Sequence, residues 1–218
     1  FVKIINNGKD IVPFTNLGGS WYHITKSNDL NNLHLANRIW GTQIIDMRTA
    51  IVYGISTNET ILHPDLNTRF DFDFNFGVVI NRFCAMCVID HDLTIYGKGL
   101  QKRPFISLND FVKSITNLIK YKKKKSFEVF NQTTELLSIK DLAETIGKNA
   151  RKFGAKSQVK FIKNPRVEKE RHNMKMENKK FLKILGSKPT SFKEESQSII
   201  KILIKNKNRI IKYKDSLI

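Results

Sequence analysis

The sequence is poor in several residue types and patterns, and each shortage removes a class of function. Only two cysteines occur in 218 residues, Cys84 and Cys87, so no disulfide framework holds the chain together. A Cys-x-x-Cys pair is either a redox couple or half of a zinc site, but no second Cys or His pair stands at a zinc spacing. Lying between Phe83 and Val88, the two thiols read as apolar filling on a buried helix. No apolar run approaches the roughly 20 residues of a membrane span. The chain starts at Phe1, without a charged-then-apolar leader, so the expectation is an intracellular, cytoplasmic protein with no membrane partner. No Gly-x-Gly-x-x-Gly opens a helix after a strand. Gly97-Lys98-Gly99 is the only Gly-x-Gly and lacks the third glycine, so these residues carry no cradle for a dinucleotide pyrophosphate. Acidic residues are also scarce, 20 against 38 Lys and Arg, for a formal net charge of +18. That excess raises nucleic acid or an anionic membrane as partners. The lysines, however, scatter over the second half, with one run at residues 122–125 and a basic stretch at 201–214. A nucleic-acid module clusters arginine with aromatics on one element, so compositional bias is the simpler account and no nucleic acid is expected.

What is present suffices for a large core: 40% of residues are hydrophobic. Residues 1–14 read as a β-hairpin about Asn7-Gly8. Ser20 is placed to cap an amphipathic helix through Leu30, Leu33, Ala36 and Trp40, stopped by Gly41. The apolar run 43–53, closing on Gly54, reads as one buried strand, and residues 55–68 as a long polar loop of the kind that lies over a ligand crevice. Arg69 to Phe76 alternates Phe and Asp. Beyond Gly77 follow an apolar helix at 78–89, a turn at Asp90-His91-Asp92 and a strand at 93–96. Further helices are expected at 111–121, from the Ser138 cap to Ala150, at 181–185 before Gly186, and at 191–211. Strands are expected at 127–130 and 159–162. Strands alternating with helices make an α/β fold.

Chemistry concentrates in two places. Tyr22 and Lys26, four apart at the start of a helix, share one face. An ammonium beside a phenol stabilises the phenolate, which suits proton abstraction from a substrate hydroxyl during hydride transfer. The same spacing recurs at Tyr121 and Lys125, where it reads as a solvated helix end. In the stretch Gly97 to Asp110, Gln101 and Arg103 follow flexible backbone and offer donors to a phosphate or carboxylate. Arg166, after the rigid Pro165, is a further candidate. His91 between two aspartates reads as a polar turn rather than a metal ligand.

Taken together, Tyr22-His23-Ile24-Thr25-Lys26, Met47-Arg48 through Val52-Tyr53-Gly54, Asn81-Arg82-Phe83-Cys84, Tyr96-Gly97-Lys98-Gly99 with Gln101 and Arg103, Val129-Phe130-Asn131-Gln132 and Asn164-Pro165-Arg166-Val167-Glu168 resemble the extended short-chain dehydrogenase/reductase family of nucleotide-sugar enzymes, the NAD-dependent epimerases and dehydratases. They narrow to a branch that makes a sulfonated sugar from UDP-glucose and sulfite. The resemblance implies a C-terminal part of a Rossmann-like enzyme with a smaller mixed α/β substrate-binding domain. It assigns residues 1–54 and 108–131 to the NAD-binding side, and 55–107 and 132–218 to the nucleotide sugar. It implies catalysis by Tyr22, Lys26 and His23, with Tyr22 and Lys26 also facing NAD, and substrate contacts from Asn81, Tyr96, Gln101, Arg103 and Arg166. It further implies a homodimer at full length, in the cytoplasm or in the plastid stroma of a photosynthetic eukaryote. Arg48-Thr49-Ala50 departs from the family's Asn-Gln-Gly. The alternatives are a UDP-sugar 4-epimerase or dehydratase without sulfite chemistry, and a basic protein using residues 122–125 and 201–214 on nucleic acid.

Overall fold

The computed structural model describes residues 4–6, 9–11, 20–66, 69–123, 125–163 and 176–217. Contacts divide the chain into two units, residues 1–46 with 122–129, and residues 47–121 with 130–218. No helix among the described residues is long and apolar enough to cross a membrane.

The first unit opens with the antiparallel strands β1 (Ile4–Asn6) and β2 (Lys9–Ile11), paired Ile4 with Ile11 and Asn6 with Lys9. The expected Asn7-Gly8 turn between them lies outside the described residues. Helix α1 (Trp21–Trp40) begins at Ser20, whose Oγ accepts from the His23 N–H at 3.3 Å. It ends at Gly41, where φ of 63° lets the N–H turn back to the Asn37 carbonyl, as a left-handed cap requires. The imidazole of His34 stacks on Phe127 with ring centroids 3.6 Å apart. The amphipathic expectation holds only in part, since Leu30 and Ala36 are half-buried while Leu33 and Trp40 are exposed.

The apolar run 43–53 is two strands, not one. β3 (Ile44–Thr49) pairs with β7 (Phe127–Gln132), whereas β4 (Ile51–Tyr53) pairs in parallel with β6 (Lys102–Ser107). At the break the Ala50 N–H donates to the Gln132 carbonyl at 2.9 Å, so the chain changes neighbours without orphaning a donor. Gln132 is fully buried and braces this corner, with Oε1 accepting from Thr49 Oγ1 at 2.7 Å and Nε2 donating to Ser114 Oγ at 2.8 Å.

In the second unit β4, β6 and the antiparallel β8 (Glu135–Ser138) form a three-stranded sheet, and β5 (Leu93–Tyr96) pairs in parallel with β9 (Val159–Ile162). Helices α2 (Val79–Val88), α4 (Ile139–Arg151) and α6 (Phe192–Lys205) pack on one another around the main core. α3 (Leu108–Ile119) and α5 (Lys179–Leu185) pack together against a smaller cluster, and α7 (Lys207–Lys212) leads into a 3-10 turn at Lys214–Leu217. Ser107 and Ser138 cap α3 and α4 through the N–H groups of Asp110 and Asp141.

Several polar motifs are structural. Asp90 and Asp92 accept the N–H groups of Lys156 and Gln158, which seats β9 beside β5. The bond to Lys160, with the Gln158 N–H, holds the Asp92 carboxyl below its usual range. Cys84 and Cys87 lie on the apolar α2 and are completely buried. The Phe/Asp alternation sends Phe72 into the core with Phe70 packed against it, and leaves Phe74 and Phe76 exposed, because Asp73 folds the chain into a turn by accepting from Asn75 and Phe76. Gly77 follows at a backbone crossing where an added Cβ would stand 2.5 Å from the Asp73 carbonyl oxygen.

Candidate active site

The two groups of sequence-selected residues fall in different units. Tyr22, His23 and Lys26 occupy the first turns of α1, a helix that buries none of its residues. Tyr22 is 67% exposed. The Lys26 ammonium lies 5.9 Å from the Tyr22 ring centroid and 3.4 Å from Asp29 Oδ2, so the phenol and ammonium share a face as their spacing requires. Ser20 Oγ sits 3.1 Å from His23 Nδ1 while also capping the helix, which orients the imidazole next to the phenol. A hydroxyl, an ammonium and an imidazole on adjacent turns can exchange a proton with a substrate alcohol and donate to ribose hydroxyls.

The other tyrosine-lysine spacing does not fall within a helix. α3 ends at Ile119, the Tyr121 ring packs edge-on against Phe130, and Lys125 carries a positive φ of 55°. Tyr53, at the end of β4, is buried, and burial together with the nearby Glu135, Glu195 and Asp110 carboxylates pushes its phenol upward, the wrong direction for a base.

In the second unit Tyr96, Gln101 and Arg103 come together around a pocket of about 380 Å³. Tyr96 ends β5, and Arg103 lies in β6 rather than in a loop, so a paired strand fixes its stem. The sequence reading missed other walls of this pocket, among them Arg82, Phe74 and Thr94. Asn81 and Arg82 are neighbours on α2, and 100° per residue sends them to different faces. Arg82 lines the pocket, whereas Asn81 is 8% exposed and accepts the Gly54 N–H at 3.2 Å. Asp110 is likewise internal, accepting from Thr190 N at 2.8 Å and Thr190 Oγ1 at 3.0 Å. Arg166 lies outside the described residues.

No protein-family model matches the chain. It is 35% identical over 213 residues to the chloroplastic UDP-sulfoquinovose synthase of Spinacia oleracea, covering 96% of this chain and 44% of that protein. To the UDP-sulfoquinovose synthase of Sulfolobus acidocaldarius it is 37% identical, covering 97% of this chain and 54% of that one. The chain thus spans about half the length of these relatives. Among solved structures, the UDP-N-acetylglucosamine 4-epimerase of Methanobrevibacter ruminantium superposes with a TM-score of 0.69 at 20% identity, over 92% of this chain and 59% of that one. The Bacillus cereus UDP-glucuronic acid 4-epimerase, solved with UDP-glucuronic acid and NAD, gives 0.60 at 25%, over 84% and 52%. The fold is the one seen in these UDP-sugar 4-epimerases, and by sequence the chain is similar, along nearly its whole length, to about half of UDP-sulfoquinovose synthase.

Proposed function

We propose that this chain is the substrate-binding and catalytic-helix part of a UDP-sulfoquinovose synthase, an enzyme that turns UDP-glucose and sulfite into UDP-sulfoquinovose for sulfolipid synthesis. The observation that carries the reading is the convergence of Tyr96, Gln101 and Arg103 on one pocket of about 380 Å³. An aromatic ring, an amide and a guanidinium suit a uracil base, a ribose and a diphosphate. Residues 55–107 and 132–218 serve the nucleotide sugar, and Arg166 joins Arg103 on the phosphates, whereas Asn81, expected as a substrate contact, instead accepts the Gly54 N–H outside the pocket lining. Residues 1–54 with 108–131 belong to the NAD side.

The donors of Tyr22 and Lys26 fit the nicotinamide ribose, whereas no stretch of these residues fits the pyrophosphate. NAD, when bound, would supply a reversible hydride acceptor for C4 of glucose, so it would be recycled rather than consumed. The Tyr22 oxygen takes the proton of the C4 hydroxyl and gives it back at the end, while Lys26 holds the ribose and favours the phenolate. The 4-keto group acidifies the C5 proton. His23, oriented by Ser20, assists its removal and the departure of the C6 hydroxyl as water. Sulfite then adds at C6, forming the C–S bond as C5 is reprotonated. The full-length protein is proposed to act as a homodimer, in the cytoplasm or plastid stroma.

Incubating the full-length protein with UDP-glucose, sulfite and NAD is expected to give a sulfonated sugar nucleotide. Formation of UDP-galactose instead identifies a 4-epimerase, the reading that the epimerase-like fold favours next. Retention on DNA that is lost as salt rises would point to the basic nucleic-acid-binding alternative.

A further inference from the structure

Arg82 stands one turn inside α2 and is fixed from outside that helix. Its Nη2 donates to the Leu217 carbonyl at 2.7 Å, and its guanidinium carbon lies 5.2 Å from the centroid of the Phe74 ring. The Phe74 N–H in turn donates to the Ser216 carbonyl at 2.8 Å. Adjacent carbonyls of the 3-10 turn Lys214–Leu217 therefore hold one cation and one aromatic residue of the pocket wall. The turn is seated by Leu217, whose side chain is completely buried in the main core.

Held in this way, the Arg82 guanidinium lines the pocket. Here a second guanidinium, that of Arg103, lines the same pocket, from a different element. Two guanidiniums presented by a helix and a strand, with the Tyr96 ring alongside, match a planar base carrying two phosphates better than a neutral nucleoside. We infer that Arg82 is a further phosphate-binding arginine of the nucleotide pocket, and that the turn Lys214–Leu217 positions its guanidinium for a nucleoside diphosphate. This rests on the nucleotide reading of the pocket.

The test is calorimetric titration of UDP and of uridine into the full-length protein and its variants. Arg82→Met is expected to raise the Kd for UDP about tenfold or more, the loss of a charge-assisted contact, while changing the Kd for uridine less than about twofold. Leu217→Ala, which loosens the turn, should weaken UDP binding when Arg82 is present and have no added effect in the Arg82→Met background, although it lowers the melting temperature in both. Arg82→Lys, which retains the charge but not the fork, should fall between wild type and Arg82→Met. It also decides the question by the same comparison if Arg82→Met does not fold. Wild-type binding of UDP with an unchanged Arg82→Met, or equal weakening of UDP and uridine, overturns the role of Arg82 alone. Failure of the wild-type protein to bind UDP overturns the nucleotide reading and this inference with it.

Discussion

Tyr22, Lys26 and Ser20 assemble a local arrangement that needs no distant contact, which is why it could be read from spacing. If the Tyr22 oxygen is the base, Tyr22→Phe in the full-length protein should lower kcat by about 10²–10⁴ with little change in KM for UDP-glucose, measured as the absorbance of reduced NAD in a single turnover. Buried carboxylates offer a second test at the same scale. Burial, and then repulsion from Asp110, raises the Glu195 carboxyl, and Glu135 is raised for the same two reasons even though it accepts the Phe192 N–H. A raised folded-state value means that the folded form holds protons the unfolded chain would release. The stability from these groups is therefore complete below the ordinary carboxylate range of about 4.3 and is lost as pH rises through their folded values. Glu195→Gln should accordingly raise the melting temperature near pH 7 and have little effect at pH 4.

Helix ends announced themselves in the sequence because capping is local: Ser20, Ser138, Gly41 and Gly186 all stand where their helices begin or stop. Strand partnership was not legible in the same way. Residues 43–53 look like one apolar run, and only the sheet shows that β3 and β4 have different neighbours. The four residues of β8 carry little pattern, and the glycines before Arg103 hide the strand β6 that begins just before it. The pocket was legible for Tyr96, Gln101 and Arg103, but not for Arg82, whose position depends on a turn 135 residues further along. Gly77 shows how an element can depend on close approach rather than on an unusual dihedral. An alanine there would meet Asp73 and Phe72 backbone at 2.5–2.8 Å, so Gly77→Ala should destabilise the second unit by about 1–3 kcal/mol, seen in urea unfolding.

For the whole molecule, the distribution of polar and apolar surface matters more than the net charge of +18. α1 leaves Trp21, Ile24, Leu35 and Ile39 exposed on one helical face, an apolar surface of the kind that marks a contact with another protein surface. If the proposed homodimer forms through this face, Trp21→Gln with Ile39→Gln should shift the full-length protein toward monomer in sedimentation equilibrium. With no glycine cradle in these residues, the 218-residue protein should bind UDP but show only weak affinity for NAD by fluorescence titration. The two thiols of α2 add a practical consequence. Burial holds Cys84 well above the ordinary thiol range and raises Cys87 to about 11, so neither is a nucleophile while the helix stays packed. A pulse of iodoacetamide at neutral pH would mark only molecules caught open, and the mass added per molecule would act as a clock for how often the interior comes apart.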